Sequence, residues 1–454
     1  MIMKKEAIQA ASLYSLRKQI MRLAWPAILE MISGMVVWTA DTAMVGRLSA
    51  EALSAVGLGG QLAFNITYVF GALEVGTLAM VSRSVGAGEK ERANYIAKQA
   101  LLISAVLGIL LCLIYYFAAT PIFHLLTRDS EVIALGAEYL RIVSIGIAFM
   151  IPTYVMNSAL RGAGNTTVPM ISAATGNMLN IIGDYVLIFG HFGFPRMEVK
   201  GAALATTISQ IVAATITFGY VCSGRGDLKL NIKKINLPDF KLIKHLVHLS
   251  LPSCMEEFSL STSRLISSIW INRLGTISFA AHQVTLSAES ISFMPGYGFS
   301  VAASTMVGQS LGAKDEKAAE TAAWEATKLS VMLMSIVGVI FFIVPELITG
   351  LFTNVPEVED LAARCLRIGA FEQVSLAVAM TLGGALRGAG DTKGPFGVTL
   401  ITLWLIRIPL IFVVVFILKA SLEFIWVTTV LQYFVEALLM ALRFKKGHWK
   451  HIML

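Results

Sequence analysis

Apolar residues run through this chain in long blocks, broken by short polar stretches. Windows of about 19 residues pick out twelve blocks, near 20–46, 51–81, 95–118, 132–160, 167–190, 200–222, 244–272, 276–307, 320–344, 358–386, 393–418 and 421–442. Each matches the roughly 20 residues a helix needs to cross a hydrocarbon core. The ten-residue alternation of a membrane β-barrel is missing, and helices satisfy their own backbone groups in lipid. The pattern predicts an all-α, multi-pass membrane protein of twelve transmembrane helices. Composition agrees: 56% of residues are hydrophobic and 14% charged, too few charges to cover a soluble chain of this length.

The blocks repeat. LRGAGNTTVP at 160–169 returns as LRGAGDTKGP at 386–395, an offset of 226. The same offset pairs VGAGEKERA at 85–93 with LGAKDEKAA at 311–319, Pro26 with Pro252, Glu30 with Glu256, and Arg47-Leu48 with Arg273-Leu274. A constant offset over so many positions is the mark of a duplication. Six spans per half make the halves parallel repeats about an axis along the membrane normal. The expected organisation is an N-terminal lobe at 1–222 (spans 1–6), a linker at 223–244 and a C-terminal lobe at 245–454 (spans 7–12). Two six-helix lobes around a cleft suit a transporter working by alternating access.

Charge adds orientation. Only six of the 36 lysines and arginines lie in loops on one side: Arg47, Arg128, Arg196, Lys200, Arg273 and Lys419. Five more, Arg141, Arg264, Arg364, Arg367 and Arg407, fall within spans, and the rest sit at the termini, in the opposite loops or in the span ends that adjoin them. The positive-inside rule then puts both termini in the cytoplasm, with the chain in the cytoplasmic (inner) membrane. The net charge of +7 is thus a topology signal and implies no nucleic-acid partner. The basic N-terminus lacks the apolar core and small-residue site of a cleaved signal peptide. Cys112, Cys222, Cys254 and Cys365 lie in or beside apolar spans without CxxC spacing, as small buried hydrophobes do. Neither a phosphate-binding GxxxxGK[ST] loop nor HExxH occurs, so the chain reads as a secondary transporter and not an enzyme, with no cofactor beyond a coupling ion.

The paired motifs, together with WPAILE at 25–30, DTAMVGRLSAEALSAVGL at 41–58, AAHQV at 280–284 and FMPGYGFSVAASTMVGQSLGA at 293–313, resemble the multidrug and toxic compound extrusion (MATE) family over essentially the whole chain. That resemblance implies an antiporter exporting organic, often cationic, compounds in exchange for H+ or Na+. In the family's NorM-like branch an acid stands eleven positions before the Arg of LRG; here that position is Leu376. Acids in the N-terminal lobe instead resemble the DinF-like branch, in which they carry the cation coupling.

Those acids are Asp41 in span 1 and Asp184 in span 5. A charged Asp at a helix centre costs about 2.5–3.5 kcal/mol on insertion scales, so such residues mark functional sites. Asn177, Asn180 and Asp184 share one helix face; the alternative for that stripe is ordinary polar helix packing, worth about 0.6 kcal/mol per contact. The expected coupling site is Asp41, Asp184 and Asn180, holding a proton or a Na+ through hard oxygen ligands. Asn177, Asn157 and, by resemblance, Thr206 are supporting cavity residues. Pro26 is a candidate helix bend. Glu256, Glu257, Glu289 and Glu372 are secondary C-lobe candidates, while Glu30 and Glu256 read first as a shared structural pair. Twenty methionines and 24 phenylalanines provide the soft side chains an adaptable cavity uses, although most must serve lipid contact and packing. The expected partners are small, cationic, amphipathic molecules and the lipid bilayer, and the expected state is a monomer. The competing readings are a lipid-linked oligosaccharide flippase of the same superfamily, which calls for a basic cavity, and a non-transporting receptor or channel scaffold.

Overall fold

A computed structural model describes the backbone of residues 2–71, 73–230, 238–452 and 454, and the side chains of 13–63, 73–230, 238–452 and 454. Part of the expected linker, 231–237, lies outside the described residues. Among those described, every regular element is helical. Each expected span falls on helix, some of them on two or more pieces.

The first repeat is built from α1 (Ile2–Val45), α2 (Ala50–Gly71), α3 (Leu73–Gly86), α4 (Lys90–Leu126), α5 (Ser130–Gly162), α6 (Thr167–Phe189) and α7 (Glu198–Ser223). The second follows as α8 (Phe240–Asn272), α9 (Thr276–Gly312), α10 (Glu316–Ile343), the short α11 (Pro345–Thr349), α12 (Pro356–Gly369), α13 (Gln373–Gly388), α14 (Lys393–Ile401), α15 (Ile408–Phe412) and α16 (Leu422–Lys446). A single 3₁₀ turn, Ala370–Glu372, joins α12 to α13 into one span. Two π-helical turns, Thr402–Arg407 and Val413–Ile417, flank α15. Such bulges insert extra backbone into a helix and commonly fall at functional sites.

Eight helical stretches are apolar and long enough to cross a bilayer by composition alone. The expected spans on α6, α8 and α9, like the one on α2 and α3, fall outside that set. The first three carry Asn177, Asn180 and Asp184; Glu256, Glu257 and Arg264; and His282 and Glu289. Low hydropathy there is the trace of polar faces turned inward. On α6 the buried positions include Gly176, Asn180, Asp184 and Ile188, while Met178, Leu179, Ile182 and Tyr185 are exposed. An apolar outside around a polar inside is the pattern lipid demands.

The chain groups into two compact units. Unit 2 is Leu29–Cys254, and unit 1 joins Met1–Ile28 to Met255–Leu454. Both changes of unit fall two residues beyond a proline inside a helix, Pro26 in α1 and Pro252 in α8. Within unit 2 the first part of α8 lies against α3, where a Cβ on Gly76 would come 3.0 Å from Leu246 O. Within unit 1 the first part of α1 lies against α9, where a Cβ on Gly298 would come 2.8 Å from Ala24 O. Small residues at such crossings let backbones close in and gain the dispersion contacts that hold helices together in lipid.

The LRGAG motif explains itself locally. A Cβ on Gly162 would come 2.8 Å from Leu78 O, and one on Gly388 would collide with Ser304 O, the same position one repeat later. Gly164 and Gly390 turn the chain at φ +87° and +93°, a region open to glycine. Asn165 Oδ1 then accepts from Val168 N at 3.1 Å, and Asp391 Oδ1 from Gly394 N at 3.0 Å, starting the next helix. The four cysteines are free; Cys365 is buried, and Cys112, Cys222 and Cys254 are partly exposed.

Candidate functional site

The coupling residues expected from the sequence, Asp41, Asn180 and Asp184, lie inside unit 2 on α1 and α6, and the supporting Thr206 lies on α7. Close helix packing brings them together. A Cβ on Gly183 would come 2.9 Å from Ala205 Cβ, and one on Gly176 would come 3.1 Å from Ser209 O. With α7 so close, Thr206 accepts a 3.3 Å hydrogen bond from Asn180 Nδ2. The neighbouring Thr207 is spent on backbone, with its hydroxyl near Ala203 O and Ile142 O. Thr206 is therefore the hydroxyl of the site.

Asp41 and Asp184 face each other within hydrogen-bonding reach. Neither is supplied with a donor by another residue at the buried oxygens: Asp41 Oδ1 and both carboxyl oxygens of Asp184 have no partner. Asp184 is fully buried and Asn180 is 4% exposed. Two carboxylates in contact, without a donor between them, need either a proton shared across the pair or a cation.

Tyr139 completes the arrangement and was not anticipated. Its ring fills the space above Gly59, where a Cβ would come 2.7 Å from Tyr139 Cδ1. Its phenol is hydrogen-bonded to Thr206 and lies close to both aspartates. Only a local sign was available, a tyrosine inside span 4 whose repeat-equivalent is Cys365.

The supporting residues divide. Asn177 donates from Nδ2 to Ser33 Oγ at 2.8 Å, tying α6 to α1. Asn157 belongs to a separate chain of hydroxyls: Thr217 Oγ1 lies 3.0 Å from Asn157 Oδ1 and 2.9 Å from Ser172 Oγ, and Ser172 donates to Ala213 O. Pro26 is buried in α1, one turn before Glu30.

The C-lobe candidates do not form one group. Glu256 pairs with Arg387 at 2.6 Å, the repeat-equivalent of Glu30 with Arg161, also 2.6 Å. Thr399 Oγ1 lies 3.1 Å from Glu256 Oε1 and 3.4 Å from Glu436 Oε1. Glu257 forms a half-exposed pair with Arg264 at 3.0 Å. Glu289 and Glu372 do meet, buried together near Arg407 and Tyr433. His282 approaches Arg407 from the same side and packs against Trp426, ring centroids 5.8 Å apart. The arginines of LRGAG, Arg161 and Arg387, are the partners of Glu30 and Glu256. An acid and a base repeated at one offset was the signal that could have joined them.

Among the described residues no group of three or more His, Cys, Asp or Glu is placed to hold a metal. The unit 2 site is instead two carboxylates, an amide and two hydroxyls, a set of hard oxygen donors suited to an alkali cation or a proton.

The MatE family model matches residues 26–186 and again 252–413, the two halves recognised from the repeat. The chain is 32% identical to the probable multidrug resistance protein NorM of Thermotoga maritima, over 96% of this chain and 93% of that one. It is 26% identical to the multidrug resistance protein MdtK of Yersinia pseudotuberculosis, over 90% and 88% of the two chains. Its fold is similar to that of a MOP superfamily transporter from Pyrococcus furiosus, with a TM-score of 0.88, 23% identity, and 96% and 97% of the two chains covered.

Proposed function

Because the chain belongs to the MATE family, multi-pass multidrug efflux transporters driven by secondary transport and not enzymes, we propose that it couples export to H+ or Na+ entry through Asp41 and Asp184. The observation that carries this reading is the contact of the half-buried Asp41 with the fully buried, donorless carboxyl of Asp184, ringed by Asn180, Thr206 and Tyr139. Such a pair does not hold two negative charges at low cost, so it takes up one proton or one Na+. A Na+ would find the two carboxylates, the Asn180 amide oxygen and the Thr206 hydroxyl as ligands. An organic cation competes for the same negative charge. Loading the pair with H+ or Na+ from outside therefore favours release of the drug, and emptying it toward the cytoplasm favours drug capture.

The N-terminal location of this pair supports the DinF-like reading of the branch, although the curated relatives above carry the names NorM and MdtK. The substrate class is small, amphipathic and cationic, the working unit is a monomer in the inner membrane, and the positive-inside bias puts both termini in the cytoplasm. Glu289 and Glu372 support a second, subordinate reading, a further cation site in unit 1, because both are buried and neither oxygen of Glu372 has a partner.

The test is ethidium uptake by everted vesicles holding an acidic or Na+-loaded interior. Wild type should accumulate the dye, and Asp41→Asn and Asp184→Asn should each abolish accumulation. Dependence on internal Na+ would name the ion. Full activity in both variants would move the site to Glu289 and Glu372. Silent wild type would reopen the flippase reading.

A further inference from the structure

The two repeats bury the same ion pair in the same place. In unit 2, Arg161 Nη2 lies 2.6 Å from Glu30 Oε1, and Arg161 Nη1 lies 3.2 Å from Glu74 Oε2. The Arg161 and Glu30 side chains are 7% and 14% exposed. Arg161 stands in the last turn of α5 and is itself held against α3. Gly162 admits the α3 backbone, and Ser158 donates to Glu74 O at 2.5 Å. Its grip on Glu30 therefore fixes α1 to a rigid α3–α5 corner.

The position of that grip matters. Pro26 removes one backbone hydrogen bond from α1 and leaves the direction of the following segment under-determined by the helix's own ladder. Glu30 is four residues on, one turn beyond the break, where a single external contact has the most leverage on direction. The next turn repeats the device. Ser33 donates to Glu30 O at 2.8 Å and accepts from Asn177 Nδ2 at 2.8 Å. Asn177 lies on the same face of α6 as Asp184, two turns before it. The helices carrying the two carboxyls are thus tied together about 10–12 Å below the pair, counting a rise of 1.5 Å per residue.

We propose that Arg161, Glu30 and Asn177 are positioning residues of the coupling site: they set the direction of α1 beyond Pro26 and its register on α6, so that Asp41 meets Asp184. This rests on Asp41 and Asp184 being the coupling pair. The second repeat provides the internal contrast. Arg387 holds Glu256 in the same way after Pro252, and Ser259, the mate of Ser33, accepts from Trp404 Nε1 at 2.7 Å, but Asp41 becomes Ser267 and Asp184 becomes Leu410. The unit 1 anchor has no carboxyl pair to align.

The experiment measures dye transport against the concentration of the coupling ion, separating the half-saturating concentration from the maximal rate. The variants are Glu30→Gln, Asn177→Ala, the charge exchange Glu30→Arg with Arg161→Glu, and Glu256→Gln, each checked for folding by its thermal transition in detergent. Glu30→Gln and Asn177→Ala should shift the half-saturating concentration by about tenfold, since small misplacements of reacting groups have effects of that order or larger. The exchanged pair should recover part of the shift. Glu256→Gln should lower stability or rate and leave the ion dependence in place. Should Glu30→Gln fold poorly, Asn177→Ala carries the test, because it removes one neutral hydrogen bond and no charge. An unchanged ion dependence in folded Glu30→Gln and Asn177→Ala, with Asp41→Asn inactive, would overturn the positioning role and spare the site. Equal shifts in the Glu30 and Glu256 variants would also overturn it, by making the anchor a general structural element. Full activity in Asp41→Asn would remove the coupling pair and the positioning role together.

Discussion

At an offset of 226, Glu30 meets Glu256, Arg161 meets Arg387, Gly162 meets Gly388 and Asn165 meets Asp391, and each couple does the same work in its own unit. At that same offset Asp41 meets Ser267, Tyr139 meets Cys365, Asn180 meets Ile406, Asp184 meets Leu410 and Thr206 meets Gln432. The reverse holds for the buried group of unit 1. Val56, Ala63, Gly146 and Ile181 stand where the second repeat has His282, Glu289, Glu372 and Arg407. The duplicated chain has kept the residues that set backbone geometry and has placed its carboxyl pairs independently. The difference follows from cost. A glycine at a helix crossing or a buried ion pair has few substitutes, because losing it leaves a clash or an unpaired charge. A carboxyl pair lining an interior is needed only where the transport chemistry uses it.

The shared geometry is the first thing to break. A Cβ at Gly388 would strike Ser304 O, and one at Gly162 would approach Leu78 O at 2.8 Å. Both partners are backbone atoms that no rotamer change can move. Gly388→Ala should cost at least about 3 kcal/mol and Gly162→Ala about 1–3 kcal/mol, in the range of overpacked interiors. Thermal unfolding in detergent measures both. Equal, small losses would show that the two crossings relax freely and that the repeated glycine is not needed for close approach.

The divergent chemistry comes next. Glu372→Gln replaces a carboxyl by an amide in a buried group that includes Glu289 and Arg407, so a loss of about 1–3 kcal/mol is expected. With coupling at Asp41 and Asp184 as proposed, the ion dependence of transport should stay unchanged. A shifted ion dependence would make unit 1 a second coupling site, and the contrast between the repeats would become one of position and not of role.

Much of this was legible before any coordinates. Span count, duplication and the polar stripe of Asn177, Asn180 and Asp184 follow from periodicities that the bilayer makes strict. The breaks within spans were not legible. The two π-helical turns around α15 follow from no local sequence rule. Tyr139 was missed because its task lies across helices: a tyrosine in an apolar span looks like core until Thr206 and the aspartates are placed beside it. The partners of Glu30 and Glu256 were hidden for the same reason, since a contact 131 residues away in sequence leaves no periodic mark. Local spacing reports which face a residue occupies, and only packing reports what meets it there.

The smallest effect isolates one backbone position. After α3, Gly88 takes φ +76°, Gly88 N bonds Val85 O at 3.0 Å and Glu89 N bonds Ser84 O at 2.9 Å. After α9 the same turn recurs, with Lys314 N on Leu311 O at 3.0 Å and Asp315 N on Ser310 O at 2.9 Å, but its left-handed residue is Lys314 at φ +60°. A side chain in that region costs roughly 1–2 kcal/mol, and glycine avoids the cost while giving back part of it as unfolded-chain entropy. Lys314→Gly should therefore stabilise the protein by about 0.5–1 kcal/mol, and Gly88→Ala should destabilise it by a similar amount. A Lys314→Gly variant no more stable than wild type would mean that the lysine side chain supplies an interaction equal to the strain. The two turns would then share a shape without sharing its energetics.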